Sequence, residues 1–561
     1  MQPIAFTAST AWTETRICDN SRMLRTCGSA PIPARLASLV VAAIVVASVA
    51  ACGGNPSSAP LSAVPSASAV ATATESPTPL PTPEPTVAPP TVAFVPVADY
   101  RTTATAVDAT GVASILAGKN KQFNKIEVVD ADADGILAAL GTTRASVAGH
   151  LAIAATVAAL DADLAKGGAL LGFVRASDVG PSVRAIDWDG KSLFGVNRFK
   201  SLTDWPLKAY LAEAAGTAGF DTTQTWTTAA AGDVMLDRGV YDQIHNKGKG
   251  ADFPFDGGSV AITGHFCCSP PPYYGNVLPK TKRLSTAPLV RNLMSGADLS
   301  MVNLEGPAPI KSKYHTTGKV FTFNQAYLSG LKNAGIDVVS LANNHIGNAG
   351  RAGMHETMNA LTNLGVAYGG LGNNEAEARK PVLFNIQGVK VAFLAYDAIA
   401  PSYWATPTLA GSAQMASNKT LADIRAAKAA GAQVVIVFPH WGVEYHTAPT
   451  SGERNWAHKM IDAGADLIIG NHVHYVAAME VYKGKPIWYA LGDFVFDQNW
   501  SEPSSEGLIL ELSFNGPTLV QAWMHPILDL DASQPNLLDA ASGQVVLKQL
   551  YNASAKLPTW K

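Results

Sequence analysis

Cysteine is scarce in this chain: there are five among 561 residues, and only Cys267 and Cys268 lie beyond residue 52. Two adjacent cysteines cannot supply the disulfide framework that stabilises many small secreted domains. They could form a vicinal disulfide in an oxidising compartment, but two thiols in a loop are the interpretation that we favour. The folded part must therefore depend mainly on an apolar core.

An excess of basic residues is also missing. The chain has 41 Lys and Arg against 44 Asp and Glu, a formal net charge of −3, and no lysine- or arginine-rich stripe. This balance argues against a nucleic-acid partner. Hydrophobic residues make up 47% of the sequence, enough for a sizeable core, and the length predicts two or three domains.

The N-terminal region lacks an apolar run long enough for a permanent transmembrane helix. The run from Leu36 to Ala51 would rise about 24 Å as a helix, less than the ~30 Å hydrocarbon core of a bilayer. Because Arg25 and Arg35 precede this run, residues 1–52 are typical of a secretory signal segment.

The end of this segment, Val49-Ala50-Ala51-Cys52-Gly53, resembles a bacterial lipobox. The resemblance implies cleavage before Cys52 and lipidation of its thiol; an uncleaved signal anchor is the alternative. We therefore expect an extracytoplasmic, membrane-anchored lipoprotein at the cell surface, which contacts the membrane through its lipid anchor only.

Composition divides the rest of the chain into three parts. Residues 53–95 contain ten prolines and only two charged residues, Glu75 and Glu84, which predicts an extended linker. Residues 96–221 mix strand-like and helix-like runs without a catalytic motif, which predicts a small N-terminal α/β domain of unknown role. Residues 222–561 form the main domain, with a C-terminal extension.

In the main domain, apolar strands alternate with helices, which predicts an α/β fold with largely parallel strands. The predicted strands are Thr227–Ala231, Leu299–Val302, Val338–Leu341, Val391–Ala395, Val434–Phe438 and Leu467–Ile469. The predicted helices are Ala287–Ser295, Gln325–Ala334, Gly353–Leu364, Leu421–Ala430 and Glu453–Ala463.

Five apolar strands lead directly into side chains that can bind metals. These side chains are Asp233, Glu305, Asn344 with His345, His440, and His472 with His474. Ligands of open α/β sheets collect at the carboxyl ends of the strands, so we expect these residues to meet at one edge. His472 and His474 can share a site only if the backbone between them turns suitably, and Gly470 makes such a turn easier.

The chemistry of this set favours two divalent metal ions. Mixed oxygen and nitrogen ligands suit Mn, Fe or Zn, whereas Mg or Ca would favour oxygen alone. A carboxylate can bridge two such ions, and the pair can activate a water and stabilise the oxygens of a displacement. The pattern therefore predicts a hydrolase-type centre.

Six motifs resemble successive signatures of the CapA-type poly-γ-glutamate synthesis family. They are Gly232-Asp233-Val234-Met235-Leu236-Asp237-Arg238, Asn303-Leu304-Glu305-Gly306-Pro307, Ala342-Asn343-Asn344-His345, His440-Trp441-Gly442-Val443-Glu444-Tyr445, His472-Val473-His474 and Tyr489-Ala490-Leu491-Gly492-Asp493-Phe494-Val495-Phe496-Asp497. The match spans about residues 229–497 in order. That family resembles the calcineurin-like metallophosphatases, which implies a four-layer α/β/β/α sandwich here, preceded by the smaller α/β domain.

The resemblance also implies a role for each residue. Glu305 would bridge the metals, Asp233 and His474 would hold the first, and Asn344, His440 and His472 would hold the second. His345 would be the catalytic imidazole, and Arg238 a cation near the site that suits an anionic substrate.

Three positions depart from the expected pattern. Metallophosphatases usually have a histidine two residues after the first aspartate, where this chain has Met235, so we expect a weaker first metal site. Asn348 stands where the CapA-type family commonly has aspartate, and Asp493 stands where it has asparagine. The last two changes leave the predicted ligand set intact but affect the groups that orient it.

We interpret the chain as a CapA-like protein of capsule or poly-γ-glutamate biosynthesis with a metal-dependent hydrolase-type site. The expected partners are an anionic polymer such as poly-γ-glutamate and membrane synthase subunits. A non-catalytic polymer-binding or export factor with a degraded metal site is the second hypothesis, which Met235 favours. A general metal-dependent phosphodiesterase is the third.

Overall fold

The computed structural model describes residues 91–99, 102, 104–180, 182–211, 220–267, 275–415 and 417–557. All of them belong to one compact unit, residues 85–561. The predicted signal segment with Cys52, and the linker up to residue 90, lie outside the described residues. A search of the described residues found no helix that is both long and apolar enough to cross a membrane.

The N-terminal part folds as a small α/β layer. Its strands are β1 Thr91–Asp99, β2 Ala106–Val107, β3 Lys125–Val129, β4 Leu151–Ala154, β5 Leu170–Arg175, β6 Val183–Ala185, β7 Asp187–Trp188 and β8 Lys208–Tyr210. Its helices are α1 Ala109–Leu116, α2 Ala133–Ala139 and α3 Val157–Ala165. The main sheet has the order β4-β3-β5-β1-β6, with β8 also pairing with β1.

The predicted boundary of the linker at residue 95 is wrong. Strand β1 begins at Thr91 and pairs with three other strands, so the last five residues assigned to the linker lie in the sheet. The apolar run from Val92 to Ala98, in which residues 93–98 are all buried, outweighs the proline-rich composition just before it. The boundary at residue 221 remains a prediction, because the two parts pack closely.

The main part is larger. Its strands are β9 Thr225–Val234, β10 Ser259–Cys267, β11 Val277–Ser285, β12 Leu299–Leu304, β13 Val338–Ser340, β14 Ala367–Gly369, β15 Leu371–Gly372, β16 Val382–Ile386, β17 Val389–Asp397, β18 Gly411–Ser412, β19 Val434–His440, β20 Leu467–Ile469, β21 Met479–Tyr482, β22 Lys485–Trp488, β23 Asp493–Val495, β24 Glu506–Asn515, β25 Thr518–Leu530 and β26 Gln534–Leu538. Its helices are α4 Arg238–Tyr241, α5 Leu289–Gly296, α6 Ser329–Asn333, α7 Gly350–Leu364, α8 Glu375–Ala378, α9 Asn418–Ala429, α10 Ser451–Ala463, α11 Glu502–Ser505 and α12 Ala540–Ser554.

Two large sheets form the centre of this part. One has the order β11-β10-β26-β25-β24-β9-β12-β13-β14, with β23 pairing with β9, and the other has the order β16-β17-β19-β20-β22-β21. The strands that carry the predicted site, β9, β12 and β13 in one sheet and β19 and β20 in the other, pair in parallel within each sheet. The antiparallel half of the first sheet, built from β24, β25 and β26, is a difference from the largely parallel expectation.

Three apolar layers explain how the sheets and helices stack. Side chains of the two sheets pack against each other in one cluster, for example Ala230 and Met301 against Phe393 and Phe438. The outer face of the first sheet packs against α5, α6 and α7. The outer face of the second packs against α9 and α10. The resulting α/β/β/α sandwich confirms the predicted four-layer α/β fold class.

Local sequence signals define the helix ends. Helix α10 begins with a capping box, in which Thr450 accepts from the backbone N–H of Glu453 and the Glu453 carboxylate accepts from that of Thr450. It ends at Gly464, whose φ of +116° lies in the left-handed region. Helix α7 likewise ends at Gly365, with φ of +73°. These stops return the chain to the next strand, β20 after Gly464 and β14 after Gly365.

One expectation about the cysteines is also wrong. Cys267, the last residue of β10, is disulfide-bonded rather than a free thiol. Cys268 lies outside the described residues. Sequence alone could not decide between the two states, because both fit an exposed loop.

Candidate metal centre

The ends of five strands bring the predicted ligands together between the two sheets. Asp233 lies in β9, Glu305 directly follows β12, and His440 ends β19. His472 and His474 follow β20. Asp233, Glu305 and His440 are at most 1% exposed, and the two other histidines are each 4% exposed, so these polar groups are held in the interior.

Glu305, His440 and His472 form a first group, hereafter the histidine-rich group. One ligand atom of each lies within 4.8 Å of those of the other two. The rings of His440 and His472 have centroids 4.7 Å apart. Oδ1 of Asn344 lies 2.9 Å from Nε2 of His440, so the predicted carboxamide borders this group.

Asp233, His474 and Asp493 form a second group, hereafter the aspartate-rich group, again with ligand atoms within 4.8 Å of one another. Nδ1 of His474 lies 2.8 Å from a carboxylate oxygen of Asp493 and 3.8 Å from one of Asp233. Asp493 was not among the predicted ligands. The aspartate-rich group thus has three members although Met235 replaces the usual histidine.

Asn303 joins the two groups. Its Nδ2 lies 2.8 Å from Oδ1 of Asp233 and 3.2 Å from Oε2 of Glu305. Its own oxygen accepts from Nδ2 of Asn343 at 3.2 Å. The two carboxylates are therefore oriented by one buried amide, which fixes the distance between the groups.

An unusual backbone turn sends the two neighbouring histidines to different groups. His472 has a φ of +98° and His474 a φ of +57°, values that residues other than glycine rarely adopt. Their ring centroids lie 6.2 Å apart. Gly470 serves close packing rather than the turn itself: a Cβ there would lie 2.1 Å from the carbonyl oxygen of Tyr489.

Several buried polar atoms of the centre have no hydrogen-bond partner within the described part of the chain. These are Oε1 of Glu305, Nδ1 of His472 and Oδ2 of Asp493. Leaving such atoms unpaired in an interior costs about 1–3 kcal/mol each. Each of these atoms can offer a lone pair to a cation. The donor set therefore fits a pair of divalent metals of the Mn, Fe or Zn type.

The electrostatics support the same conclusion. Burial, and then the nearby charge of Asp233, raises the pKa of Glu305 well above its usual value. Burial also raises the pKa of Asp493 to about 7 and lowers the pKa of His472 to about 3. Carboxylates that hold their protons more tightly, beside an imidazole that resists protonation, indicate a buried site short of positive charge, which metal cations would supply.

His345 lies beside the histidine-rich group, with Nε2 3.8 Å from Oε1 of Glu305. Nδ1 lies 3.1 Å from Oδ1 of Asn348, and the ring packs on Phe321 with centroids 4.2 Å apart. Because the backbone N–H of Phe321 also donates to Oδ1 of Asn348, that oxygen is an acceptor and Nδ1 carries the proton. Burial lowers the pKa of His345 to about 4, so the ring is neutral near pH 7.

Arg238 is close to the centre but already paired. Its guanidinium forms an ion pair with Asp497 and donates to the carbonyl of Gly318 at 2.9 Å. Its guanidinium carbon lies 4.7 Å from the ring centroid of Phe321 and 5.5 Å from that of Phe496. The predicted role of Arg238 toward a substrate therefore remains a prediction.

Met235 is not a substitute ligand. Its side chain is fully buried in the core, and its sulfur accepts from the backbone N–H of Asp237 at 3.0 Å. Asp493 reaches the centre because β23 pairs in parallel with β9, which places Asp493 opposite Asp233. The apolar stretch from Trp488 to Leu491 before Asp493 resembles those before the other ligands, so a signal was present in the sequence.

A groove of about 750 Å³ lies on the side of His345 and Asn348. Lys311 and Lys313 line it, and within the described residues neither ammonium group has an ion-pair partner. Asn348, which binds His345, is also part of its wall. Glu356 contributes a carboxylate, whose Oε2 accepts from the backbone N–H of Ile310 at 2.8 Å.

Comparisons with known proteins agree with this geometry. Capsule biosynthesis protein CapA of Bacillus anthracis is 32% identical over 276 residues, which cover 48% of this chain and 67% of that protein. PGA biosynthesis protein CapA of Bacillus subtilis is 29% identical over 223 residues, which cover 39% of this chain and 59% of that protein. Residues 227–498, which carry both groups, match the family described as bacterial capsule synthesis protein PGA_cap. The chain belongs to this CapA-type family of capsule synthesis proteins.

Proposed function

We propose that this protein is a metal-dependent hydrolase of capsule or poly-γ-glutamate biosynthesis, acting on an anionic cell-surface polymer. The observation that carries the proposal is the pair of three-residue groups, buried side by side with unpaired atoms in each. Such an arrangement is costly for a protein unless cations complete it. A purely structural role would have been served by ordinary apolar packing.

Each group would hold one divalent ion. Glu305, His440 and His472, with Asn344 at their border, would hold one, and Asp233, His474 and Asp493 the other. A metal pair, when bound, activates a water and stabilises the oxygens of a displacement. Asp493 supplies the donor that Met235 lacks, which favours a complete centre over a degraded one.

His345 would serve as the acid–base or hydrogen-bonding imidazole. Asn348 keeps its proton on Nδ1, so the lone pair of Nε2 faces the centre and can accept a hydrogen bond from a substrate or a water. Because its pKa is about 4, the ring stays neutral at neutral pH and is suited to accept a hydrogen bond there rather than to keep a proton.

The groove with Lys311 and Lys313 would bind the anionic polymer. Both ammonium groups line a wall that continues to Asn348, and therefore to His345. Carboxylates of a polyglutamate chain would be attracted to these lysines, and a chain held there would pass the metal centre. The relatives named in capsule and PGA biosynthesis favour such a polymer over an unrelated phosphodiester.

Anchoring and partners are part of the proposal. Lipidation of Cys52 would hold the protein on the outer face of the membrane, where the proline-rich linker lets it reach a polymer as it emerges. Membrane synthase subunits would be its neighbours there. Both ideas follow from the lipobox-like sequence and the family membership.

The test combines metal analysis with an activity screen. Purified wild type is expected to contain about two divalent ions per chain and to hydrolyse poly-γ-glutamate or bis-p-nitrophenyl phosphate. His440→Ala is expected to lose at least one ion and about 10²-fold or more in kcat/KM. Lys548→Gln, at an exposed position of helix α12, is the control and should retain both. Wild type without metal and without turnover would overturn the proposal.

The second candidate is a non-catalytic polymer-binding or export factor, and Met235 favours it. In that case the protein would bind poly-γ-glutamate with at most one ion per chain and no turnover. Two ions per chain with activity that is lost in His345→Ala would exclude it.

A further inference from the structure

A second polar site, whose lining contains none of the metal ligands, lies where the N-terminal part packs on the main part. Arg184, in strand β6, is only 5% exposed and lines a cavity of about 170 Å³. Trp523 of β25 and Gln544 of α12 line the same cavity. The cavity is therefore shared between the two parts of the chain.

The guanidinium of Arg184 is influenced by the charges of Asp187, Glu511 and Asp99 without forming an ion pair with any of them. Its Nη2 donates to the backbone carbonyl of Ala104, and its carbon lies 5.0 Å from the ring centroid of Trp523. Across the described part of the chain, no carboxylate forms an ion pair with it. Buried charges are normally paired, because desolvating an isolated ion costs several kcal/mol. Burial accordingly lowers the pKa of Arg184 to about 10.

Two acids close to Arg184 or its cavity accept hydrogen bonds from other groups. Glu511 lies 2.6 Å from Nε2 of His525 and accepts from the backbone N–H of Val196 at 2.6 Å. Asp539 lines the cavity, but its Oδ1 caps helix α12 by accepting from the N–H of Ser542 at 2.9 Å. These hydrogen bonds hold the carboxylates of Glu511 and Asp539 in positions where neither forms an ion pair with Arg184.

A second unpaired donor is found at the same cavity. Nε2 of Gln544 is buried without a hydrogen-bond partner within the described residues. Buried donors of this kind usually have a partner, so this group and the arginine both lack an acceptor. An anion in the cavity would supply what both groups lack.

The remaining wall is apolar, with Met524, Pro526 and Leu537 among its residues. A cavity of about 150 Å³ accommodates one benzene ring, so the volume here fits a ligand with a single ring or a short chain. A polymer would not fit. We propose that this cavity binds a small organic carboxylate, whose charged group pairs with Arg184 and whose apolar body packs beside Trp523.

Such a ligand would act at the contact between the two parts. Arg184 belongs to the N-terminal sheet, whereas helix α12 packs through Val546 and Leu550 into the core between the two large sheets. A carboxylate bound to both sides would stabilise their association. The site is independent of the metal centre and of the proposed hydrolase activity.

Titration calorimetry with benzoate tests the site on the full chain, with benzamide as the uncharged analogue of equal shape. Wild type is expected to bind about one benzoate per chain, and benzamide at least tenfold more weakly. Arg184→Gln is expected to weaken benzoate binding at least tenfold. Arg144→Gln, which removes an arginine already paired with Asp130 and Asp134, should leave it unchanged.

Benzoate binding by two further variants, Gln544→Met and His440→Ala, completes the test. If Arg184→Gln does not fold, Gln544→Met replaces it and is expected to weaken benzoate binding severalfold. His440→Ala must bind benzoate as wild type does, because the metal centre is elsewhere. Absence of benzoate binding to wild type, equal binding of benzamide, or loss of binding in His440→Ala would each overturn the proposal.

Discussion

A carboxylate oxygen of Asp493 lies 2.8 Å from Nδ1 of His474. The two residues come from separate segments, one following β20 and the other opening β23. The parallel pairing of β23 with β9 places Asp493 opposite Asp233, so three ligand candidates meet where the usual histidine is missing. Met235 therefore does not by itself indicate an empty first site.

Asp493→Ala tests this compensation. We expect the metal content to fall from about two ions per chain to about one, because the aspartate-rich group keeps only two donors. Asp493→Asn should retain an oxygen donor but bind the ion roughly 10–100-fold more weakly. Metal analysis after dialysis at a series of free metal concentrations measures both effects.

The control is Asp462→Asn, which removes a surface carboxylate paired with Lys483. It should bind metal as wild type does. If Asp493→Ala keeps two ions at unchanged affinity, Asp493 only orients His474 and is not a ligand.

Much of the centre was predictable because it depends on strand ends. Asp233, Glu305 and His440 each follow an apolar run, and parallel strands necessarily present their carboxyl ends at one edge. Asp493 follows a similar apolar stretch, but its place beside Asp233 depends on which strand β23 pairs with. The spacing of residues in the sequence does not show which strand β23 pairs with.

Other features depended on contacts that a sequence does not reveal. The division of His472 and His474 between two groups follows from left-handed backbone conformations at both residues. The pairing of Arg238 with Asp497 joins positions 259 residues apart in the sequence. Strand β1 begins inside the predicted linker because tertiary pairing, and not composition, decides whether Thr91–Asp99 is ordered.

Asn348→Asp is expected to change the pH dependence of activity. In wild type, burial lowers the pKa of His345 to about 4, and the hydrogen bond with the neutral Asn348 opposes this only in part. A carboxylate at the same position would favour the imidazolium and raise the pKa of His345. If the neutral ring is the active form, the acid limb of the profile moves to higher pH. Activity near pH 5.5 should then fall roughly tenfold, and activity near pH 8 should change little.

The measurement is kcat/KM for bis-p-nitrophenyl phosphate between pH 5 and pH 9. An increase of activity at low pH would show instead that the imidazolium is the active form. An unchanged profile would mean that His345 does not take part in the rate-limiting step.

Replacing Lys311 and Lys313 together by Gln is expected to weaken binding of poly-γ-glutamate roughly tenfold at low salt. Two ammonium groups without ion-pair partners among the described residues line the groove, and each would contribute a modest, salt-dependent attraction. Turnover of bis-p-nitrophenyl phosphate should stay near the wild-type value. The matched control removes Lys548 and Lys556, which changes the net charge equally. Equal weakening in both double variants would point to net charge rather than to the groove.

Gly470→Ala is expected to destabilise the protein by roughly 2–4 kcal/mol. An added Cβ would lie 2.1 Å from the carbonyl oxygen of Tyr489, which is backbone and cannot move aside cheaply. Because His472 follows two residues later, metal affinity should fall as well. Gly452→Ala is the matched control: its nearest contact would be 3.7 Å, and alanine within helix α10 should stabilise by about 0.5–1 kcal/mol. Urea unfolding of both variants gives the comparison.

Glu506→Gln is expected to remove part of the loss of stability that occurs as the pH rises from about 4.5 to about 8. Glu506 is 2% exposed and its Oε1 has no partner among the described residues, so burial, and then the charge of Glu502, raises its pKa to about 8. In the unfolded chain the same group titrates near 4.5. The folded state therefore holds this proton more tightly, and wild type loses stability as the pH rises from about 4.5 to about 8. Glutamine keeps the shape without the charge, so the variant should match wild type near pH 4.5 and exceed it by roughly 2–4 kcal/mol near pH 8. Urea unfolding at several pH values measures the difference in stability between the variant and wild type, with Glu375→Gln as the control. A difference that does not grow with pH would exclude ionisation of Glu506 as its cause.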